Sequence, residues 1–240
     1  MKGIIYYTDN RLDELDRDRL LPGLVRRSLL NSDLPIVSCS LKPMEFGKNV
    51  VVNEKPGVIT MYKQILTALK EHYKKYIFFC EHDVIYHKSH FDFTPPRDDT
   101  FYYNTNVWRC HPRRNICVTY DNMRSVSGIC VNRELAIEHY EARIKHIYDN
   151  GYDKIPKSQN PKWARRMGYE PGKMTKSGGF RNTDKIDEWK SEYPNLDIRH
   201  RLTMTIPKLS QDQFNTPPTN WRQVTIDKIE GWNIKELFNL

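Results

Sequence analysis

Apolar and polar residues alternate along the chain in blocks that predict short strands and longer helices in turn. Lys2-Gly3-Ile4-Ile5-Tyr6-Tyr7-Thr8 is rich in β-formers and stops at Asp9-Asn10, a turn-forming pair. Pro22 suits the first turn of a short helix running through Leu24, Val25 and Leu29. A second strand is predicted over 35–41, closed by Lys42-Pro43. After Gly57 the spacing predicts a helix with Met61, Ile65 and Leu69 on one face. His72, Lys74 and Lys75 supply cations suited to its carboxyl end. Residues 76–80 form a continuous apolar run, the signature of a strand covered on both faces. The order strand, helix, strand, helix, strand predicts an α/β fold, a mostly parallel central sheet flanked by helices.

Beyond Asp83 the order loosens. Residues 92–99 read as a loop, 100–103 and 116–120 as strands. Val131-Asn132-Arg133 leads into a helix ending at Asn150-Gly151. Residues 153–183 are basic and poor in aliphatics, and they hold Gly178-Gly179; they read as a surface excursion or lid with no core of its own. No internal repeat is evident, and 240 residues suit a single domain with a loop-rich C-terminal region. No apolar run approaches the roughly 18 residues of a membrane span, and the amino terminus turns polar by Thr8. A soluble, cytoplasmic chain is expected. The five cysteines include no C-x-x-C pair, so buried thiols are expected in place of disulfides or a zinc ribbon. The balance of 38 basic and 30 acidic residues gives +8, which favours polyanionic partners: nucleic acid, or the phosphates of a nucleotide.

The chemistry concentrates at Tyr76-Ile77-Phe78-Phe79-Cys80-Glu81-His82-Asp83. A buried strand runs directly into two carboxylates separated by one residue. Unpaired carboxylates are costly to bury, so they are expected to emerge at the strand's carboxyl end, the ligand-binding edge of open α/β sheets. In an extended segment Glu81 and Asp83 point the same way and can share a cation; oxygen ligands suit Mg²⁺ or Mn²⁺ bridging to a diphosphate. The plainer alternative is an acidic turn after a core strand.

The same segments resemble the GT-A glycosyltransferases, whose Asp-x-Asp motif holds a divalent metal on the diphosphate of a sugar nucleotide. Tyr6-Tyr7-Thr8-Asp9-Asn10 resembles the end of that family's first strand, where the nucleoside is bound. The resemblance implies a UDP-sugar donor held by Tyr7, Thr8, Asp9, Asn10, Lys42 and His82, with 1–90 as the nucleotide-binding half and 91–240 as the acceptor-binding half. It implies metal ligation by Glu81 and Asp83, Glu81 standing where the family more often has Asp. It adds His200, which closes a short predicted strand near the carboxyl end. An imidazole ligand tilts the metal toward Mn²⁺.

Residues 189–214, with Glu192-Tyr193-Pro194-Asn195-Leu196-Asp197-Ile198-Arg199-His200 at their centre, resemble the small phage glycosyltransferases that modify hydroxymethylated DNA bases. That group includes enzymes linked to base J-type modification. It implies transfer of a sugar, commonly glucose, to a hydroxymethylpyrimidine in DNA. A base modified within a duplex has to leave the stack. Basic residues interleaved with aromatics suit that task, around Trp108, Arg109, His111, Arg113 and Arg114, and again at Lys162, Trp163, Arg165, Arg166, Lys173 and Lys176. An inverting reaction needs a general base, for which Asp187, Glu188 and Glu170 are candidates. The alternatives are a glycan, protein or lipid acceptor on the same fold, a metal-dependent nuclease or nucleotidyltransferase, and a non-catalytic nucleic-acid-binding module.

Overall fold

The computed structural model describes residues 1–14, 20–155, 171, 184–203 and 208–233. Its first part runs β1 (Lys2–Thr8), α1 (Leu20–Leu30), β2 (Ile36–Ser40), β3 (Lys48–Val51), α2 (Val58–Glu71), β4 (Tyr76–Glu81) and β5 (Val84–Ile85). Next come β6 (Thr100–Asn104), β7 (Val107–His111), β8 (Ile116–Thr119), β9 (Ile129–Asn132) and α3 (Arg133–Asp149). The last strands are β10 (Lys185–Trp189), β11 (Asn195–Ile198) and β12 (Arg222–Val224).

A seven-stranded sheet has the order β10-β6-β9-β4-β1-β2-β3. Its central strands are apolar on both sides because each side is covered. Ile4, Tyr6, Phe78 and Cys80 pack with Leu21, Val25 and Leu29 of α1. The alternate residues Ile5, Tyr7, Ile77 and Phe79 pack with Tyr62, Ile65 and Leu69 of α2 and Tyr140 of α3. Each fully buried side chain of this kind contributes about 1.5–3 kcal/mol relative to exposure. The unbroken apolar run at 76–80 is this double burial seen in sequence.

The sheet is mixed. β1 lies parallel to β2 and to β4, and β2 parallel to β3, but β9 is antiparallel to both of its neighbours, β4 and β6. β9 enters the seven-stranded sheet from the other one: residues 120–128 bring the chain from β8, a strand of the five-stranded sheet, back between β4 and β6. The parallel pairs are those among β1 to β4 and, at the far edge, β10 with β6. The second, five-stranded sheet, β12-β8-β7-β11-β5, takes in two predicted strands, β8 within 116–120 and β11 before His200, while β5, β7 and β12 have no counterpart among the predicted elements.

His72 corrects another expectation. It is 2% exposed, and burial lowers its pKa, so it is no surface cation at the end of α2. Its Nε2 lies 3.2 Å from the Pro35 carbonyl, and its ring fills the space above Gly3, where a Cβ would come within 2.0 Å of it. At α3 the Asn132 side chain caps the amino end, accepting from Glu134 and Leu135; Gly151, at φ 65°, turns the chain away. All five cysteines are buried and unpaired. No helix among the described residues is long and apolar enough to cross a membrane.

Candidate functional site

β1 and β4 end side by side, with Tyr7 in register with Glu81. The Tyr7 hydroxyl donates to Glu81 Oε1 at 2.9 Å, and the Glu81 backbone N–H donates to the Tyr86 hydroxyl at 2.9 Å. The chain then turns through His82 and Asp83 into β5, which pairs antiparallel with β11. The Ile198 N–H donates to the Asp83 carbonyl at 2.9 Å. This pairing brings His200, just past β11, to the end of β4, with its Nε2 3.4 Å from Asp83 Oδ2. One ligand atom from each of His82, Asp83 and His200 lies within 4.8 Å of the others, and all three residues are half-buried. His200 Nδ1 accepts from the Leu202 N–H at 3.2 Å. Its Nε2 therefore carries the proton that faces Asp83, and a cation binding there displaces it.

The carboxylates of this edge titrate apart. Burial opposes charge on Asp83, but the hydrogen bond from His200 and the fields of His82, His200 and Arg199 outweigh it, so its pKa is lowered. Burial first and Asp83 second push Glu81 from 4.5 up to about 8, against the hydrogen bond from Tyr7. At neutral pH one carboxyl is ionised and its neighbour keeps its proton. Asp197 on β11 lies behind them. Burial raises its pKa, against the pull of Arg199 and Arg109. Arg199 donates to Asp197 Oδ2 at 2.5 Å and Arg109 Nε at 3.4 Å, while Arg109 Nη1 donates to the Tyr120 hydroxyl at 3.0 Å.

Of the expected cation ligands, Asp83 and His200 come together, whereas Glu81 stands outside the group with its oxygen on Tyr7. His82, expected among the donor-contacting residues, joins the group. Thr8 is buried, and its carbonyl accepts from Gln64 Nε2 at 2.7 Å. Asn10, at φ 62°, ties the end of β1 to the end of β2, its Oδ1 accepting from the Leu41 and Lys42 N–H groups at 2.9 Å each. Asp9 beside it is half-buried and pairs with Arg11 at 2.5 Å. Lys42 is exposed and pairs with Glu14.

Asp187 and Glu188 are exposed on β10, at the far edge of the seven-stranded sheet, with β6 and β9 between them and β4. Glu188 accepts from Arg124 at 2.5 Å. Glu170 and the residues Lys162, Trp163, Arg165, Arg166, Lys173 and Lys176 lie outside the described residues. Arg113 and Arg114 are exposed in the turn between β7 and β8, Arg109 and His111 are half-buried, and Trp108 is 8% exposed beneath the Arg222 guanidinium. Sequence reasoning missed Asp197, Gln64 and Tyr86. The signal for Asp197 was its spacing to Arg199, two residues apart in a β-type run and so on one face.

No protein-family model matches the chain, and no curated protein matches it. Among solved structures it is similar to a nucleotidyl transferase from Methanothermobacter thermautotroptrophicus, with 9% identity, a TM-score of 0.39, and 59% of this chain and 76% of that one covered. It is similar to a glycosyltransferase involved in glycosylating the major capsid of PBCV-1, with 8% identity, a TM-score of 0.44, and 85% and 94% covered. A third likeness is to a mutant Drosophila β-1,4-galactosyltransferase 7 in complex with manganese, UDP-Gal and xylobiose, with 16% identity, a TM-score of 0.33, and 62% of each chain covered. With TM-scores no higher than 0.44, the functional reading stands on the residues of the site itself.

Proposed function

We propose that the chain is a metal-dependent glycosyltransferase of GT-A type that draws on a UDP-sugar, glucose being the sugar the resemblance implies. The observation that carries this reading is the His82–Asp83–His200 group, which stands at the carboxyl end of β4 and beside the end of β1. In open α/β sheets that edge is where nucleotides sit. Two imidazoles and a carboxylate fit a divalent cation, and the nitrogen donors suit Mn²⁺ better than Mg²⁺. When bound, the cation supplies positive charge to the diphosphate as the sugar–oxygen bond breaks. Asp83, held ionised, provides the fixed negative charge of the site, while Glu81 keeps its proton so that two adjacent charges do not repel. Asp9 offers a carboxylate to a uracil N–H or the ribose hydroxyls, next to Tyr7, Thr8 and Asn10. The chain acts as one catalytic unit in which His200, from the acceptor half, completes the cation group of the nucleotide half.

The acceptor implied by the resemblance is the hydroxyl of a hydroxymethylpyrimidine in DNA, with Asp187, Glu188 or Glu170 taking its proton in an inverting reaction. The charge of +8 and the exposure of Arg113 and Arg114 support it. A second reading comes from the donor set alone, since two histidines and one carboxylate also hold Fe(II) in oxygenases. UDP-glucose turnover with Mn²⁺, with a chelator, and with Fe(II) and oxygen separates the two. Mn²⁺-dependent release of UDP is expected; Fe(II)-dependent oxygen uptake with no UDP released would sink the transferase reading.

A further inference from the structure

A second concave site lies away from the cation group. It is a groove of ≈ 810 Å³ between the ends of β6 and β10 on one side and of β8 and β12 on the other. That volume falls in the range of about 300–1,000 Å³ typical of small-molecule sites. Tyr120 and Trp221 both line it, their rings parallel within 9° and 5.5 Å apart, and Phe214 meets Trp221 edge-on at 75°. The loops that carry this pair are held firmly. The Asp121 N–H donates to the Thr219 carbonyl at 3.1 Å, and Asp121 Oδ2 accepts from Thr219 Oγ1 at 2.8 Å and from Asn220 Nδ2 at 2.7 Å. Asn122 and Asn220 turn their loops through left-handed backbone, at φ 62° and 51°. A platform fixed in this way loses little freedom when a ligand docks on it.

The rest of the lining decides the ligand class. Its ionic side chains are Asp121, Glu188 and Glu192 against Lys190 and Arg222, and Glu188 is already paired with Arg124, so the charges balance in a chain whose net charge is +8. A balanced groove offers no cluster of cations, which is what a phosphate backbone binds. Asn106, Asn122 and Asn220 add amides that offer a donor and an acceptor side by side. Planar amides and carboxylates around an aromatic face match a molecule that has hydroxyls on its rim, an apolar C–H face and no charge. Arg109 joins this groove to the cation group, with one end of its guanidinium on the Tyr120 hydroxyl and the other on Asp197, which also binds Arg199 next to His200.

We propose that this groove is the acceptor site, and that the acceptor is a neutral saccharide seated on Tyr120 and Trp221, in place of the DNA hydroxyl that the resemblance implies. Its role as an acceptor rests on the transferase reading above; the binding of a saccharide does not. In transfer, the anomeric carbon of the donor exchanges its bond to the UDP oxygen for one to an acceptor hydroxyl oxygen. UDP leaves with the electron pair and the hydroxyl proton passes to a base or to water.

The test is calorimetric titration of the whole protein with cellobiose, maltose and lactose at millimolar concentrations, and with a duplex containing hydroxymethylcytosine, each at low and high salt. UDP plus Mn²⁺ is titrated into the wild-type protein in parallel. At least one disaccharide is expected to bind with an affinity that salt does not change. Trp221→Ala is expected to weaken it about tenfold, the order of a lost aromatic contact, and Trp221→Phe to retain it, which separates a lost platform from a lost fold. The proposal is overturned if none of the disaccharides binds, if Trp221→Ala leaves binding intact, or if the duplex displaces the disaccharide with steep salt dependence. Disaccharide binding without UDP binding supports the saccharide site and removes the transferase reading; UDP binding without disaccharide binding does the reverse.

Discussion

The carboxyl edge of the seven-stranded sheet and the groove beside the five-stranded sheet are built on opposite physical plans. At the edge, charge is partly withdrawn from water: Glu81 is pushed to about 8, Asp83 is held low, and Asp197 is raised behind them. At the groove, charged side chains stand in solvent, and recognition is left to ring area and to many weak polar contacts. A site of the first kind fails when one atom loses its charge, because the partners left behind are poorly solvated. A site of the second kind fails gradually, a ring at a time. Reactive chemistry fits the first, and holding a ligand in place fits the second.

Removing the charge of Asp83 gives the sharpest break between the two. Asp83→Asn keeps the volume and loses the charge, and it is expected to lower UDP-sugar turnover about a thousandfold, the order of several kcal/mol of lost electrostatic stabilisation. Disaccharide binding at the groove, measured on the same variant, is expected to stay within a factor of about two, since Asp83 is not among the residues that line it.

Acid tests the joint between the two sheets. His90 is fully buried, and its Nδ1 accepts from Asn104 at the end of β6 and from Asn195 on β11. Burial lowers its pKa from 6.5 to about 3. The unfolded chain therefore binds this proton at a pH where the folded chain does not. Stability from His90 is complete above 6.5 and is lost as the pH falls toward 3, on the order of a few kcal/mol. Urea unfolding across that range measures it, and His90→Gln is expected to flatten the slope.

Glu81 has the opposite sign. The folded protein holds its proton up to about 8, whereas the unfolded chain releases it near 4.5, so metal-free stability falls as the pH rises through that window. Glu81→Gln, which imitates the protonated carboxyl, is expected to gain stability relative to the parent as the pH rises. The effect is smaller than that of His90 because Glu81 keeps some contact with water. A variant less stable than the parent at pH 8 would contradict this assignment.

These regions also differ in how much the amino-acid order discloses. The parallel half is readable because its strands are buried on both faces, which leaves a continuous apolar run at 76–80 and clean helical spacing at Ile65 and Leu69. The second sheet is less so: β8 and β11 are predicted, but β5 has two residues and β12 three, too short for alternation to register. The direction of β9 depends on how the chain re-enters the sheet after β8, and nothing in the strand's own residues marks it. At the site, Asp83 and His200 stand out as polar groups at strand ends. The grouping of His82 with them in place of Glu81 is hidden: side-chain alternation applies only while the chain stays extended, and it turns at His82 and Asp83. The groove draws on residues near 105, 120, 190 and 221, which only the tertiary fold brings together.

The most direct measurement is calorimetric titration of Mn²⁺ into the chelator-treated protein, with and without UDP, for the parent, Asp83→Asn and His200→Ala. Mn²⁺ is expected to bind with one-to-one stoichiometry, more tightly when UDP is present, and neither variant is expected to show that gain. Equal Mn²⁺ affinity with and without UDP in the parent, or an undiminished gain in Asp83→Asn, would contradict a nucleotide-linked cation at His82, Asp83 and His200.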